Sequence, residues 1–407
     1  MMTIPLRIPR RSRWNDARGH SPVLPYGRQS IKADDIEAVI QVLKSDWLTT
    51  GPAVEEFENA FAAFVGARYA VAVSSGTAAL HAAMHAAGIG AGDQVIVPPL
   101  TFAATANAVI YQGGHPIFAD IDPKTLLLDP EAAEECVSER ARAVVAVDYA
   151  GQPCDYDALR NLADRCGLAL IADACHSLGA EYKGKKTGTI ADLSVFSFHP
   201  VKHITTGEGG MITTDNSELA ARMRRFRNHG IDTDHRQRAG NGTWHYEMLD
   251  LGYNYRLSDI SCALGTSQLR RLPETLARRR ELASAYDRAF SGWSSLDIPE
   301  TSPSVRHAYH LYPVRYRADR TGGDRGNFFR LLREQRIGAN VHYLPVHLHP
   351  YYSKRYGYRR GDYPVAEAAY DELISLPLFP AMTDGDQNRV IEGVRQAIAL
   401  DSRKDRV

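Results

Sequence analysis

From about residue 30 to residue 215, short apolar runs alternate with segments of helical periodicity. The runs Tyr69–Val73, Gln94–Val97, Pro116–Ile121, Ala143–Asp148, Leu168–Ala172, Leu193–Phe198 and Gly210–Thr214 are mostly too uniformly apolar to leave one face in water. The pattern therefore predicts an α/β fold with a mostly parallel sheet covered by helices on both faces. Val54, Phe57, Phe61 and Phe64 recur at helical spacing, and Gly66 stands where it would stop that helix, so this stripe is read as core. Beyond the Arg270–Arg280 stretch the character changes to longer amphipathic helices around Asn327–Arg336 and Asp386–Leu400, with a strand at Tyr312–Tyr316. A smaller α+β domain is expected there. The division predicted is an N-terminal arm at 1–24, expected to be loose, a large domain at 25–270 and a small domain at 271–407. No internal repeat or low-complexity linker separates the two domains, so they are expected to pack together.

The 407 residues carry 48 Lys+Arg against 48 Asp+Glu, a balance that argues against a basic nucleic-acid binder. No apolar run approaches the ~18 residues of a membrane span. The Arg-dotted start (Arg7, Arg10, Arg11, Arg13, Arg18) lacks the apolar stretch of a secretory signal. Five cysteines, odd in number, widely spaced and without a C-x-x-C pair, fit a reducing, cytoplasmic setting better than a disulfide framework or a zinc ribbon.

Two glycine patterns invite a nucleotide-binding reading and fail it. Gly88, Gly90 and Gly92 follow a helical segment, with the wrong spacing for G-x-G-x-x-G, and are expected to end a helix and turn. Gly179-Ala-Glu-Tyr-Lys-Gly184-Lys185 starts like a phosphate loop, but Lys186 stands where a Mg²⁺-binding hydroxyl belongs, so a hairpin turn is expected. His342, His347 and His349 offer zinc-ligand chemistry, yet Pro345 and Pro350 break the helix that an i,i+4 ligand pair requires. A structural or substrate-contacting loop is expected ahead of a metal site.

Four further features fall at the carboxyl ends of predicted strands, where open α/β sheets place their ligands. In Val73-Ser74-Ser75-Gly76-Thr77-Ala78 a strand passes into an Ala-rich helix; Gly76 allows close approach, and the N–H groups of a helix start hold a phosphate. The same residues also read as a plain helix cap. Pro98-Pro99-Leu100-Thr101-Phe102 delivers a ring, Phe102, that either stacks on a flat cofactor or fills core. Asp173 ends the apolar run Leu170-Ile171-Ala172, where a carboxylate needs a cationic or hydrogen-bonding partner, and a protonated ring nitrogen would satisfy it. Lys202 follows Ser197-Phe198-His199-Pro200-Val201 just past a buried strand, where desolvation removes its proton and allows a Schiff base; an exposed structural lysine is the alternative. Phosphate cradle, stacking ring, ring-nitrogen acid and Schiff-base lysine are together what pyridoxal 5′-phosphate (PLP) requires.

The ordered motifs S-G-T-A-A-L from Ser75, T-F-A-A-T-A-N from Thr101, D-A-C-H-S-L-G from Asp173, S-F-H-P-V-K from Ser197 and T-T-G-E-G-G from Thr205 resemble the DegT/DnrJ/EryC1/StrS sugar aminotransferases, over nearly the whole chain from Pro25 onward. The resemblance implies a fold-type I aminotransferase with a large PLP domain, a small C-terminal domain and a homodimer whose active sites lie at the interface. It implies that Lys202 carries the cofactor, Asp173 partners the pyridine nitrogen, Phe102 stacks on the ring and His176 sits beside it. Ser75, Gly76, Thr77 and Ser197 would bind the phosphate side of the cofactor, with Asn254 reaching it from the other subunit. Some members of the family are dehydratases with histidine at the position of Lys202, so the lysine implies transamination.

Val147-Asp148-Tyr149-Ala150-Gly151, Ser197-Phe198-His199 and Val341-His342-Tyr343-x-Pro345 are most similar to the pseudaminic-acid branch of that family. That similarity implies L-glutamate as amino donor and a UDP-linked 4-keto-6-deoxy-N-acetylhexosamine of L-arabino configuration as acceptor. Tyr26, Arg256, His342 and Tyr343 are candidates for the sugar-nucleotide pocket, Arg256 as a planar fork for a diphosphate or a donor carboxylate. Each also has an ordinary core or interface reading. The competing functions are amination of another keto sugar or a cyclitol, a PLP-bearing regulatory protein without turnover, and a metal hydrolase built on the 342–349 histidines. Neither nucleic acid nor membrane is expected as a partner.

Overall fold

The computed structural model describes residues 22–402. The seven predicted apolar runs form one sheet: β1 (Tyr69–Val73), β2 (Gln94–Val97), β3 (His115–Phe118), β4 (Ala141–Val147), β5 (Ala169–Asp173), β6 (Leu193–Ser197) and β7 (Gly210–Thr214). Their order is β1-β7-β6-β5-β4-β2-β3, and β7 alone runs antiparallel, between β1 and β6. The fold is α/β, with helices over both faces of the sheet, and this double burial explains why its strands lack polar alternation. On one face, Phe57 and Phe61 of the helix Pro52–Val65 are fully buried against Phe196 and Phe198, while Val54 and Phe64 pack at the margin. Gly66 ends that helix in a left-handed conformation (φ 89°). On the other face the helix Gly76–Ala86 lies on β6 and β7, and its run of alanines permits the close approach.

Gly88 turns the chain out of that helix with φ 78°, and Lys183–Gly184 form the turn of a hairpin between Glu181–Tyr182 and Lys185–Lys186. Neither glycine pattern opens a helix onto a ligand.

After the helix Asp259–Arg270 a second helix, Leu272–Phe290, leads into a three-stranded antiparallel sheet of Leu296–Asp297, Tyr312–Tyr316 and Leu373–Leu376. The helices Arg325–Glu334 and Asp384–Asp401 begin two residues earlier than the apolar periodicity indicates. Asp324 and Thr383 cap them, each accepting the N–H three residues on. These elements share a core of their own (among others Leu282, Tyr312, Phe328, Ile374 and Val390), and we propose the division at residues 270/271 on that ground.

Of the expected arm, residues 1–21 lie outside the described residues. Its last residue is not loose: Leu24–Pro25 pairs in parallel with Ile337–Gly338, and Leu24 joins the C-terminal core. A two-residue strand carries no readable periodicity, which is why the pattern missed it. Among the described residues no helix is long and apolar enough to cross a membrane.

Candidate active site

A cavity of about 520 Å³ opens at the carboxyl ends of β1, β5 and β6. Its near wall is built from the strand ends. Ser75 caps the helix Gly76–Ala86 through its side chain, which accepts from the Ala78 N–H (3.0 Å). By the geometry of a helix start, the N–H groups of Gly76 and Thr77 have no carbonyl one turn back to bond. A Cβ on Gly76 would stand 2.8 Å from the Ser197 Cβ, and one on Gly210 would stand 2.4 Å from the Ser75 carbonyl oxygen. Only glycines allow this backbone, Ser197 and the helix start to converge.

Asp173, the last residue of β5, is only 6% exposed. The Thr105 hydroxyl donates to its Oδ2 (2.8 Å) and the Cys175 N–H to its Oδ1 (3.3 Å), and Thr101 in turn bonds Thr105 (2.8 Å). All these partners are neutral, and among the described residues no cation forms an ion pair with the carboxylate. Lys202 lies in the turn after Phe198, its N–H donating to the His199 carbonyl (2.8 Å), and its Nζ is 3.4 Å from His310 Nε2. Burial pushes the Lys202 amine below its ordinary range, partly opposed by Cys175 and Asp173.

The far wall comes from distant segments. Tyr26 is held by the Leu24–Pro25 strand and by the Leu378 N–H on its carbonyl (3.0 Å), with its ring 5.1 Å from that of His342. His342 bonds the Ser375 hydroxyl through Nδ1 (2.8 Å), and its carbonyl accepts from the Tyr149 hydroxyl (2.6 Å). The Tyr343 hydroxyl reaches His176 Nε2 (3.1 Å), and the His176 and His310 rings are 4.3 Å apart. Burial, then the neighbouring Lys202, holds His176 and His310 well below the usual imidazole range and His342 down to about 3. These imidazoles are neutral at physiological pH. Phe102 is 60% exposed, at the cavity and 5.9 Å from the Tyr343 ring, so it is not a core residue.

Tyr26, Ser75, Gly76, Thr77, Phe102, Asp173, His176, Ser197, Lys202, His342 and Tyr343 are thus brought together. Asn254 and Arg256 are not. Asn254 is exposed and bridges Asn228, while Arg256 donates to Asn228 Oδ1 (2.8 Å) and lines a separate cavity with Arg225 and Gln237. The histidine run also separates: His342 faces Ser375 and His347 pairs with Glu367 (2.9 Å) inside an aromatic cluster. Thr105 and His310 went unnoticed in the sequence. The i,i+4 threonines 101 and 105 were a usable signal for the first, whereas nothing local marks His310.

The arrangement fits PLP on its own terms. Gly76, Thr77 and Ser197 form a cradle that a Cβ would fill; among the described residues Asp173 has no ion-pair partner and the buried His176 Nδ1 has no hydrogen-bond partner. A half-buried lysine faces all of them.

Fold and cavity together define an aminotransferase of the PLP-dependent class. Residues 29–395 match the model of the DegT/DnrJ/EryC1/StrS aminotransferase family, and the chain belongs to that family. It is 44% identical over 377 residues to the spore coat polysaccharide biosynthesis protein SpsC of Bacillus subtilis, covering 92% of this chain and 97% of that one. Among solved structures it is similar to PseC of Helicobacter pylori, an aminotransferase involved in the biosynthesis of pseudoaminic acid. The TM-score is 0.86 at 31% identity, over 93% of this chain and 100% of the other. The PLP form of Spr1654 from Streptococcus pneumoniae gives a TM-score of 0.86 at 30% identity, over 93% and 99%. The chain is a PLP-dependent sugar aminotransferase.

Proposed function

We propose that the protein transfers the amino group of L-glutamate to C4 of a UDP-linked 4-keto-6-deoxy-N-acetylhexosamine, most closely the L-arabino ketosugar of pseudaminic acid biosynthesis. The observation that carries the reading is the meeting of Lys202, Asp173 and the Gly76–Thr77 helix start in one cavity. When bound, PLP supplies the carbonyl that takes up an amino group and a ring that withdraws electrons from the reacting carbon. The Asp173 carboxylate holds the proton on the ring nitrogen. Lys202 Nζ, its affinity for protons reduced by burial, takes the Cα proton of glutamate and returns one to C4 of the sugar. The Gly76–Thr77 helix start would hold the phosphate, and Phe102 would stack on the ring. Tyr26, His342 and Tyr343 present rings and hydrogen-bonding atoms to the sugar nucleotide.

The second substrate wall is proposed to come from another copy of the chain. Trp244 (85% exposed), Met248 (67%) and Leu251 (69%) are exposed apolar side chains in the segment that leads to Asn254. Covered by a partner, this segment would bring Asn254 and Arg256 to the neighbouring cavity. Mixing inactive Lys202→Ala and Asn254→Ala chains is expected to restore activity through hybrid dimers; verified exchange without recovery would refute the shared site. All five cysteines are free thiols, which supports a cytoplasmic setting.

The substrate test is competition between the L-arabino ketosugar and its D-xylo epimer with glutamate as donor, the product identified by NMR. Preference for the D-xylo compound, or for a dTDP-linked sugar, would replace this acceptor with another keto sugar of the class.

A further inference from the structure

Directly behind Asp173 lies a second carboxylate that the proposed chemistry does not use. Asp148 follows β4, its N–H donates to the Asp173 carbonyl (3.2 Å), and its side chain is closed to solvent. The Tyr156 hydroxyl (2.9 Å) and the Cys154 N–H (3.0 Å) donate to its Oδ1, and the Ser177 hydroxyl donates to its Oδ2. Among the described residues no cation pairs with it. The titratable groups that face it are Cys154 and Tyr156, from the loop and helix that follow, Asp173 from the adjacent strand and Cys175 from the turn after it. Burial and the like charge of Asp173 push its carboxyl up to about 7. A fully buried acid without a cationic partner costs stability even when hydrogen-bonded, so packing alone does not account for a carboxylate here.

Its partners show what it holds. Ser177 closes the turn that begins at Ala174, directly after Asp173: its N–H donates to the Ala174 carbonyl (3.0 Å), and its carbonyl accepts from the Thr187 hydroxyl (2.7 Å). Asp173 leads directly into that turn and His176 stands on it. On the other side, the loop that starts at Asp148 carries Gly151, where a Cβ would come within 2.7 Å of the His176 carbonyl oxygen. The same loop carries Tyr149, which bonds the His342 carbonyl (2.6 Å). One carboxylate therefore joins the turn of the near wall to the loop that supports the far wall.

We propose that Asp148 is a positioning residue: through Ser177 it fixes the turn that follows Asp173 and bears His176, and its charge strengthens the hold of Asp173 on a ring-nitrogen proton. The charge half of this rests on the reading of Asp173 given above.

Two variants separate the halves in the holoenzyme. Asp148→Asn removes the charge and keeps the shape, because Ser177 can reverse its hydroxyl to accept from the amide; Ser177→Ala removes the tie and keeps the charge. In Asp148→Asn the pH midpoint of the bound cofactor's visible absorbance is expected to fall by about half a unit or more, since a nearby anion favours the protonated form. In Ser177→Ala the kcat is expected to fall about tenfold at unchanged glutamate KM, as for a small misplacement of catalytic groups.

Stability gives a readout independent of turnover. A folded-state pKa of about 7, against 3.8 for the free side chain, means a contribution fully present below pH ~4 and lost as pH rises through ~7. Asp148→Asn should abolish that decline in Tm between pH 5 and 8. A wild-type absorbance midpoint in Asp148→Asn, or a Tm profile it leaves unchanged, overturns the charge role, and a wild-type kcat in Ser177→Ala overturns the tie. Should Asp148→Asn fail to fold, Asp148→Glu is measured in its place, with wild-type absorbance, Tm and kcat counting against both halves. Failure to aminate any keto sugar while these shifts appear would refute the proposed function and leave the positioning role standing.

Discussion

The two walls of the cavity are built by different means. The near wall, from Ser75 to Lys202, stands on the ends of a buried sheet: Asp173 belongs to a strand paired on both sides, and Gly76 is pressed between Ser197 and the backbone of β7. The far wall is Tyr26, His310 and the stretch Asn340–Tyr343, none of it in the central sheet, tied instead by an isolated bridge between Asn340 and Ser375 and by hydrogen bonds from Tyr149, Leu378 and the Ser375 hydroxyl. The near wall carries the acid, the lysine and the helix start; the far wall carries rings, imidazoles and an amide and no carboxylate. Reaction chemistry needs geometry held to fractions of an ångström and sits on rigid elements, whereas selection among related substrates can rest on loops.

That contrast breaks if near-wall changes are mild. Lys202→Ala is expected to lower turnover by about 10³-fold or more, the upper range for loss of a proton-transferring group. Borohydride reduction of the wild-type holoenzyme should label the Lys202 peptide, and label on another lysine would move the chemistry elsewhere. Asp173→Asn should keep its fold by circular dichroism and lose about 10²-fold in the half-reaction with glutamate, as when one preorganised charge-stabilising group is removed; near-normal turnover would strip the acid of its role.

A far-wall change should act on the acceptor. Tyr343 is proposed to offer its hydroxyl to the sugar nucleotide, so Tyr343→Phe should lose a bond to the acceptor worth ~1 kcal/mol and raise KM for the ketosugar about fivefold, while the glutamate half-reaction, read by stopped-flow absorbance, stays within about twofold. Equal losses in both halves would erase the distinction between the walls. The smallest effect is expected for Ser75→Ala, which removes a helix cap worth ~1 kcal/mol and should lower Tm by a few degrees with the cofactor retained. Loss of the cofactor there would make the Ser75 hydroxyl a ligand rather than a cap.

The near wall was legible in the sequence because each part of it is local. A strand end, a glycine and a helix start lie within a few residues at Val73–Ala78, and the same holds for Ala172–His176 and Ser197–Lys202. Apolar runs buried on both faces announced the sheet, and Phe57 and Phe61 announced a helix against it. His310 was not legible: it reaches Lys202 across 108 positions, and its own surroundings, His307-Ala308-Tyr309, carry no periodicity or motif. Tyr26 and Tyr343 entered as candidates through resemblance, and the strand pairing that places Tyr26 is two residues long. Arg256 shows the reverse case, since a guanidinium suited to a diphosphate faces Asn228 in a different cavity of the same chain.

By itself the sequence determined the α/β class, the sheet and the residues able to do the chemistry. Those follow from hydrophobic period and side-chain type, which act over one turn or one strand. Tertiary structure alone decided which charges are answered. It left Asp173 with neutral partners, set the cation-free Asp148 behind it and placed neutral imidazoles around Lys202, because burial and proximity belong to residues far apart in the chain.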